Sequence, residues 1–191
     1  MDSDFTEKEL SSETVFSGKL LVARKDIVAF PDGRKASREY IIHPGAAAIV
    51  PLLEGERLLL VRQYRYPIRA VTLEIPAGKI DGEESPLACA KRELQEETGY
   101  IANAWSYLSL NHPTVGYSTE AIHLFLAEDL EAAEEQLLDD EWTEPVVMSL
   151  DQALSKIREG IITDAKTIVG VLWAEKISEG LWEPKRMPLN W

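Results

Sequence analysis

Residues Gly78 to Tyr100 read GKIDGEESPLACAKRELQEETGY, and this window narrows what the chain can become more than any other. Ser85-Pro86 is a helix start: Ser caps the first free amides, and Pro is preorganised for the first helical position. Gly99 suits a left-handed stop. Between these signals Leu87, Ala90 and Leu94 share one face at helical spacing, so that face is expected to be buried. Glu93 and Glu97 lie one turn apart at the edge of the same face, with Glu96 beside them and Arg92 placed to pair with Glu96. A solvated surface helix does not need so many carboxylates in a fixed register. Hard divalent cations such as Mg²⁺ take carboxylate oxygens and share themselves with substrate phosphates. In a chain of net charge −13, a cation site is a direct way to hold an anionic substrate.

The rest of the chain reads mostly as strands before this helix and two helices near the end. Residues 1–12 read as a flexible tail. Val15 to Phe30 reads as one long or two short strands, Pro31-Asp32-Gly33 as a turn and Arg38 to Ile42 as the returning strand of a hairpin. Ala46 to Leu53 and Leu58 to Gln63 are apolar strands around a Glu54-Gly55-Glu56 turn, and Val71 to Ile75 is a short strand. Trp105 to Leu110, Ala121 to Ala127 and Val146 to Met148 follow as strands. Asp151 to Arg158 and Ala165 to Lys176 read as amphipathic helices separated at Gly160. The expected fold class is α+β, a mixed sheet between helices with an N-terminal antiparallel extension. The division expected is a tail at 1–12, a dimerising β extension at 13–43, a catalytic domain at 44–180 and a second tail at 181–191.

Composition excludes several classes. The acidic balance argues against binding a nucleic-acid backbone. No apolar run approaches a membrane span, and MDSDFTEKEL is too acidic for a secretory signal. The single Cys89 forbids an internal disulfide, which points to a reducing, cytoplasmic setting. As a nucleophile Cys89 is poor, having no nearby His in sequence. The three histidines, His43, His112 and His123, lack zinc spacing. Trp105 and Trp142 flank loops, with core packing the expected role for both.

The window resembles the Nudix box: Gly78, Glu84, Arg92, Glu93, Leu94, Glu96, Glu97 and Gly99 fill its positions, and Tyr100 stands where an aliphatic residue is commoner. The flanks Arg62-Gln63-Tyr64-Arg65-Tyr66, Leu73-Glu74-Ile75-Pro76-Ala77-Gly78, Arg38-Glu39-Tyr40 and Asp164-Ala165-Lys166-Thr167 resemble the ADP-ribose pyrophosphatase branch of that superfamily. The resemblance implies Mg²⁺-dependent hydrolysis, with Mn²⁺ able to substitute, of the pyrophosphate in a nucleoside diphosphate linked to another moiety. ADP-ribose, cleaved to AMP and ribose 5-phosphate, is the first expectation. The alternatives are a GDP-sugar, another ADP-sugar, NADH or a dinucleoside polyphosphate, or a nucleotide-sensing module without turnover. By the same resemblance Glu93, Glu97, Glu96 and the carbonyl of Ala77 are metal ligands, and Arg92 orients the glutamates. Arg65 contacts the diphosphate or terminal ribose, and Arg38 and Tyr40 lie near the adenine. The general base comes from the acidic stretch before the Val146 strand, with Glu141 first and Asp139 second. The resemblance also implies a homodimer built through the N-terminal sheet. One departure is the turn His112-Pro113-Thr114-Val115-Gly116-Tyr117, whose Pro comes earlier than in that branch.

Overall fold

The computed structural model describes residues 4–133 and 142–187. In chain order the strands are β1 (Lys8–Ser17), β2 (Val22–Ala29), β3 (Lys35–Ile42), β4 (Ala46–Leu53), β5 (Arg57–Arg65), β6 (Ala70–Glu74), β7 (Ala77–Lys79), β8 (Tyr100–Asn111), β9 (Ile122–Ala132), β10 (Thr143–Ser149) and β11 (Lys185–Arg186). The helices are α1 (Pro86–Thr98), α2 (Leu150–Arg158) and α3 (Ala165–Ser178), with a 3₁₀ turn at Tyr66–Ile68. The chain divides into two compact units, one of Met1–Gly45 with His112–Ala121 and one of Ala46–Asn111 with Ile122–Trp191.

The larger unit is organised by β4. Its AAAIVPLL run is apolar at every position and buried from Ala46 to Pro51. Such a strand must be covered on both faces, and it is. Side chains alternate across a strand, so Ala46, Ala48 and Val50 join one cluster with Leu150, Ala153, Val171 and Ala174 from α2 and α3. Ala47 and Ile49 join the other, with Leu87, Cys89, Ala90 and Leu94 of α1 and with Trp105 and Phe125. Strand order is β10-β5-β4-β9-β8-β11, with β6 on β5 and β7 on β4. The β4–β9 pairing is parallel, and β4 pairs antiparallel with β5 and β7. Gly170 lets α3 settle on this sheet, because a Cβ there would meet Val50 at 2.9 Å and Ile75 at 3.1 Å.

The smaller unit is an antiparallel meander, β1-β2-β3. The segment 112–121 lies along β3: Ile41 N–H donates to the Tyr117 carbonyl at 2.9 Å, and Thr119 N–H donates to the Ile41 carbonyl at 3.0 Å. Asp26 fastens the three strands. Its carboxylate accepts from the Ser12 hydroxyl of β1 and, at 2.9 Å, from the Tyr40 hydroxyl of β3.

The α+β class, the mixed sheet between helices and the N-terminal antiparallel sheet are as expected. Three boundaries differ. Residues 8–12 belong to β1 where a tail was expected; polar except for Leu10, they pair with β2 on a strand whose residues are nearly all exposed. Residues 185–186 pair with β8 rather than trailing off. The short β7 was unread because it carries only Ala77, Gly78 and Lys79.

Candidate active site

α1 is built as its end signals require. The Ser85 hydroxyl accepts from the Ala88 amide, Pro86 opens the helix, and Gly99 closes it at φ 70°. Leu87, Ala90 and Leu94 are buried at 1% exposure or less, which presses the neighbouring Glu93 and Glu97 inward to 6% and 3%. Buried carboxylates need partners. Arg92 supplies them for one side of the helix. Its Nη1 donates to Glu93 Oε1 at 2.7 Å and Glu96 Oε2 at 2.8 Å, and its Nη2 donates to Glu84 Oε1 at 2.8 Å and the Lys79 carbonyl at 3.2 Å. The hydrogen bond from Arg92 is the main reason the Glu84 carboxyl sits below the usual carboxylate range. On the other side Glu97 Oε2 accepts from the Ala77 amide at 3.0 Å, and the Glu97 carbonyl accepts from the Thr143 hydroxyl at 3.2 Å.

Gly78 completes this wall. A Cβ on it would stand 1.8 Å from Glu93 Oε1 and 2.0 Å from Glu93 Cδ. The Glu93 carboxylate therefore occupies the space that any side chain at position 78 would fill. Cys89 lies against the same backbone, with its Sγ 3.3 Å from the Lys79 carbonyl. Burial above all, with the Glu93 charge, pushes its thiol up to about 12, so it is protonated at neutral pH and unsuited to nucleophilic work.

The donor set fits a hard cation in kind: carboxylate oxygens on one helix edge, beside a strand, β7, kept free of side chain at Gly78. Among the described residues, no three acidic, His or Cys side chains converge as a ready ligand set. Glu93 and Glu96 each turn an oxygen to Arg92 instead.

Arg65 was expected to reach substrate. In the structure it forms a two-pronged pair with Glu74, Nε to Oε1 at 2.8 Å and Nη2 to Oε2 at 2.7 Å, while its side chain stays 40% exposed. Glu74 is 2% exposed and also accepts from the Thr72 hydroxyl at 2.6 Å and from Lys166. Burial alone would raise the Glu74 carboxyl. The Arg65 hydrogen bonds and the Lys166 charge outweigh burial and bring it down to about 2. In sequence, Glu74, Lys166 and Thr167 announce no chemistry beyond their match to a family pattern. Their juxtaposition joins residues 92 apart in the chain, and no local spacing signals it.

In the smaller unit, Arg38 pairs with Glu7 and lies over the Phe30 ring at 5.5 Å. Arg38, Tyr40 and Asp26 line a cavity of about 370 Å³ together with Val115 to Thr119 of the unusual turn. Asp26 had no signal in sequence, being one acid between Lys25 and Ile27. Glu141 and Asp139 lie outside the described residues. Trp105 is buried at 2%, whereas Trp142 is 89% exposed, which corrects the expectation of core packing for it. His123 sits on β9 beside the Tyr107 ring, its pKa lowered by burial. No described helix is long and apolar enough to cross a membrane.

Comparison with known proteins agrees with this architecture. A NUDIX domain model matches residues 42–168. A methanol dehydrogenase activator of Bacillus methanolicus is 36% identical over 90% of this chain and 94% of its own. An ADP-ribose pyrophosphatase of Bacillus subtilis (strain 168) is 35% identical over 88% of this chain and 92% of its own. The crystal structure of an ADP compounds hydrolase superposes with a TM-score of 0.84, covering 94% of this chain and 98% of that one at 23% identity, so the fold is shared. With the box helix, its caps and its buried glutamates in place, and a family model spanning most of the chain, the protein belongs to the Nudix family.

Proposed function

We propose that this chain is a Mg²⁺-dependent pyrophosphatase that cleaves ADP-ribose to AMP and ribose 5-phosphate, with Mn²⁺ able to replace Mg²⁺. The observation that carries the reading is the pair of buried carboxylates, Glu93 and Glu97, held against Gly78 and Ala77 on the box helix. Arg92 offsets part of the cost of burying this pair, and a bound divalent cation would offset more of it. The name of the Bacillus subtilis relative supports the substrate.

In the proposed reaction a water oxygen bonds to one phosphorus of the diphosphate and the bridging P–O bond at that phosphorus breaks. Two phosphate monoesters leave, and the water's proton passes to a base. Glu93, Glu97, Glu96 and the Ala77 carbonyl would hold the metal. When bound, the ion neutralises diphosphate charge and lowers the pKa of water. Arg92 keeps the glutamates in register through its contacts to Glu84, Glu93 and Glu96. Glu141 is assigned as base, with Asp139 second. Arg65, whose side chain is 40% exposed, is assigned to the diphosphate or ribose, and Arg38 and Tyr40 to the adenine.

We also infer a homodimer formed through the β1–β3 sheet in a reducing cytoplasm. Exposed Leu10, Val15 and Phe16 on the first strand support the pairing, since an apolar edge left open invites aggregation. The test of function is a substrate panel with Mg²⁺ and with EDTA, products identified by mass. ADP-ribose is expected to give AMP and ribose 5-phosphate only with metal. Fast cleavage of GDP-mannose, NADH or a dinucleoside polyphosphate with ADP-ribose left intact would refute the substrate while leaving the family assignment standing.

A further inference from the structure

The stretch 74–77 carries the chain from β6 into the box, and it is pinned one residue at a time. Glu74 is held by Arg65, Thr72 and Lys166. The Ile75 amide donates to the Thr167 hydroxyl at 2.9 Å, and Ile75 is completely buried. Pro76 cannot donate, and its carbonyl accepts from the Ile49 amide of β4 at 2.9 Å. The Ala77 amide donates to Glu97 at 3.0 Å. Two of these four anchors belong to the first turn of α3. Thr167, itself fully buried, donates its hydroxyl proton to Asp164 Oδ2 at 2.6 Å while accepting from Ile75. Asp164 caps α3 through the Thr167 amide at 2.9 Å and pairs with Lys166 at 3.1 Å. From below, Gly170 admits Ile75 to the helix surface, where any larger residue would press on it at 3.1 Å.

We propose that the first turn of α3, acting through Thr167, is a positioning element for the Ala77–Glu97 side of the site. A buried hydroxyl that accepts one hydrogen bond and donates another has one orientation, so it fixes the height of the Ile75 amide above α3. Ala77 is two residues further along a segment with Pro76 at its centre, whose φ is locked. A shift at Ile75 is therefore passed on to Ala77 and to the Glu97 carboxylate bonded to it. Thr167 touches no substrate; it acts through Ile75 and Ala77. This inference rests on the metal-site reading given above.

The test compares Thr167→Val, Thr167→Ser and Glu97→Gln with wild type. Val keeps the shape but strands the Ile75 amide and removes one of the bonds to the Asp164 carboxylate, which keeps the Thr167 amide and Lys166; Ser keeps the hydroxyl. Three quantities are read: Mn²⁺ affinity by electron paramagnetic resonance of the free ion, amide hydrogen exchange at Ile75 and Ala77, and kcat for ADP-ribose. Supporting groups behind a metal site typically contribute about 10- to 100-fold in affinity or activity. Thr167→Val is expected to lose that much in Mn²⁺ affinity and kcat with faster exchange at both amides, and Thr167→Ser to recover most of it. A Thr167→Val protein that melts earlier but keeps wild-type Mn²⁺ affinity and exchange at Ala77 overturns the proposal alone, provided Glu97→Gln weakens Mn²⁺. If wild type and Glu97→Gln bind Mn²⁺ alike, the metal-site reading falls and the proposal falls with it. If Thr167→Val does not fold, Thr167→Ala and Asp164→Asn are measured in its place, and unchanged Mn²⁺ affinity in both overturns the proposal.

Discussion

Gly78→Ala adds one methyl group where the Glu93 carboxylate now sits. The new Cβ would lie 1.8 Å from Oε1, and ordinary contact begins near 3.4 Å, so the carboxylate must retreat by 3.4 − 1.8 = 1.6 Å. It is the end of a flexible side chain, so the fold survives. The move breaks the 2.7 Å bond from Arg92 Nη1, while Arg92 keeps its bonds to Glu96 through Nη1 and to Glu84 through Nη2. A hydrogen bond to a charged group is worth about 1.5–3 kcal/mol. Gly78 is not among the positive-φ glycines, so Ala recovers about 0.4–1 kcal/mol from the unfolded chain. The net loss is about 0.5–2.5 kcal/mol, a fall in Tm of about 1–10 °C for a protein of this size. A 1 Å misplacement of a catalytic group costs about 100-fold, so turnover is expected to fall at least that much. Gly160→Ala is the control. Gly160 has φ +71° with no heavy atom within 4 Å of where the added methyl would stand, so Ala there costs about 1–2 kcal/mol of backbone strain and touches nothing in the site. Calorimetry and ADP-ribose turnover at a temperature where both variants are folded separate the cases. Equal turnover for Gly78→Ala and Gly160→Ala would refute the assignment of Glu93 to the site.

Glu97→Gln keeps shape and removes charge; turnover is expected to drop by several orders of magnitude with the fold intact, and wild-type turnover would sink the proposed mechanism. Glu141→Gln is expected to lose about 10²- to 10⁴-fold in rate while still binding metal, with Glu134→Gln, in the same acidic stretch of sequence but assigned no role, nearly silent; a wild-type rate for Glu141→Gln moves the base role to Asp139. Glu74, held down to about 2 from 4.5, stabilises the fold above the unfolded value and loses that contribution as pH falls through the interval between them. Glu74→Gln should therefore flatten the fall in stability between pH 4.5 and 2, measured by chemical unfolding, and an unchanged slope contradicts the pairing. Light scattering at micromolar concentration should give twice the chain mass of 21.4 kDa, and a mass near one chain refutes the dimer.

The amino-acid sequence by itself determined what depends on neighbours along the chain. Ser85, Pro86 and Gly99 set the ends of α1 because capping is decided within a turn of the residue concerned. The unbroken apolar run of β4 announced a strand covered on both faces, and the i, i+4 spacing of Arg92 and Glu96 announced their pair. Tertiary structure decided the rest. Arg92 reaches Glu84 eight residues back, before the Ser85 cap, a contact that no helical spacing announces, and Gly78 meets Glu93 because β7 is laid beside α1. Arg65, a substrate contact by resemblance, reaches along the β5–β6 pair to Glu74, which the register sets opposite Val61. The hold of Thr167 on Ile75 spans 92 residues and exists because Gly170 allows α3 to lie close on the sheet. Periodicity and capping are properties of a few consecutive residues. Which carboxylate is buried, and which amide steadies it, depends on the packing of elements that are far apart in the chain.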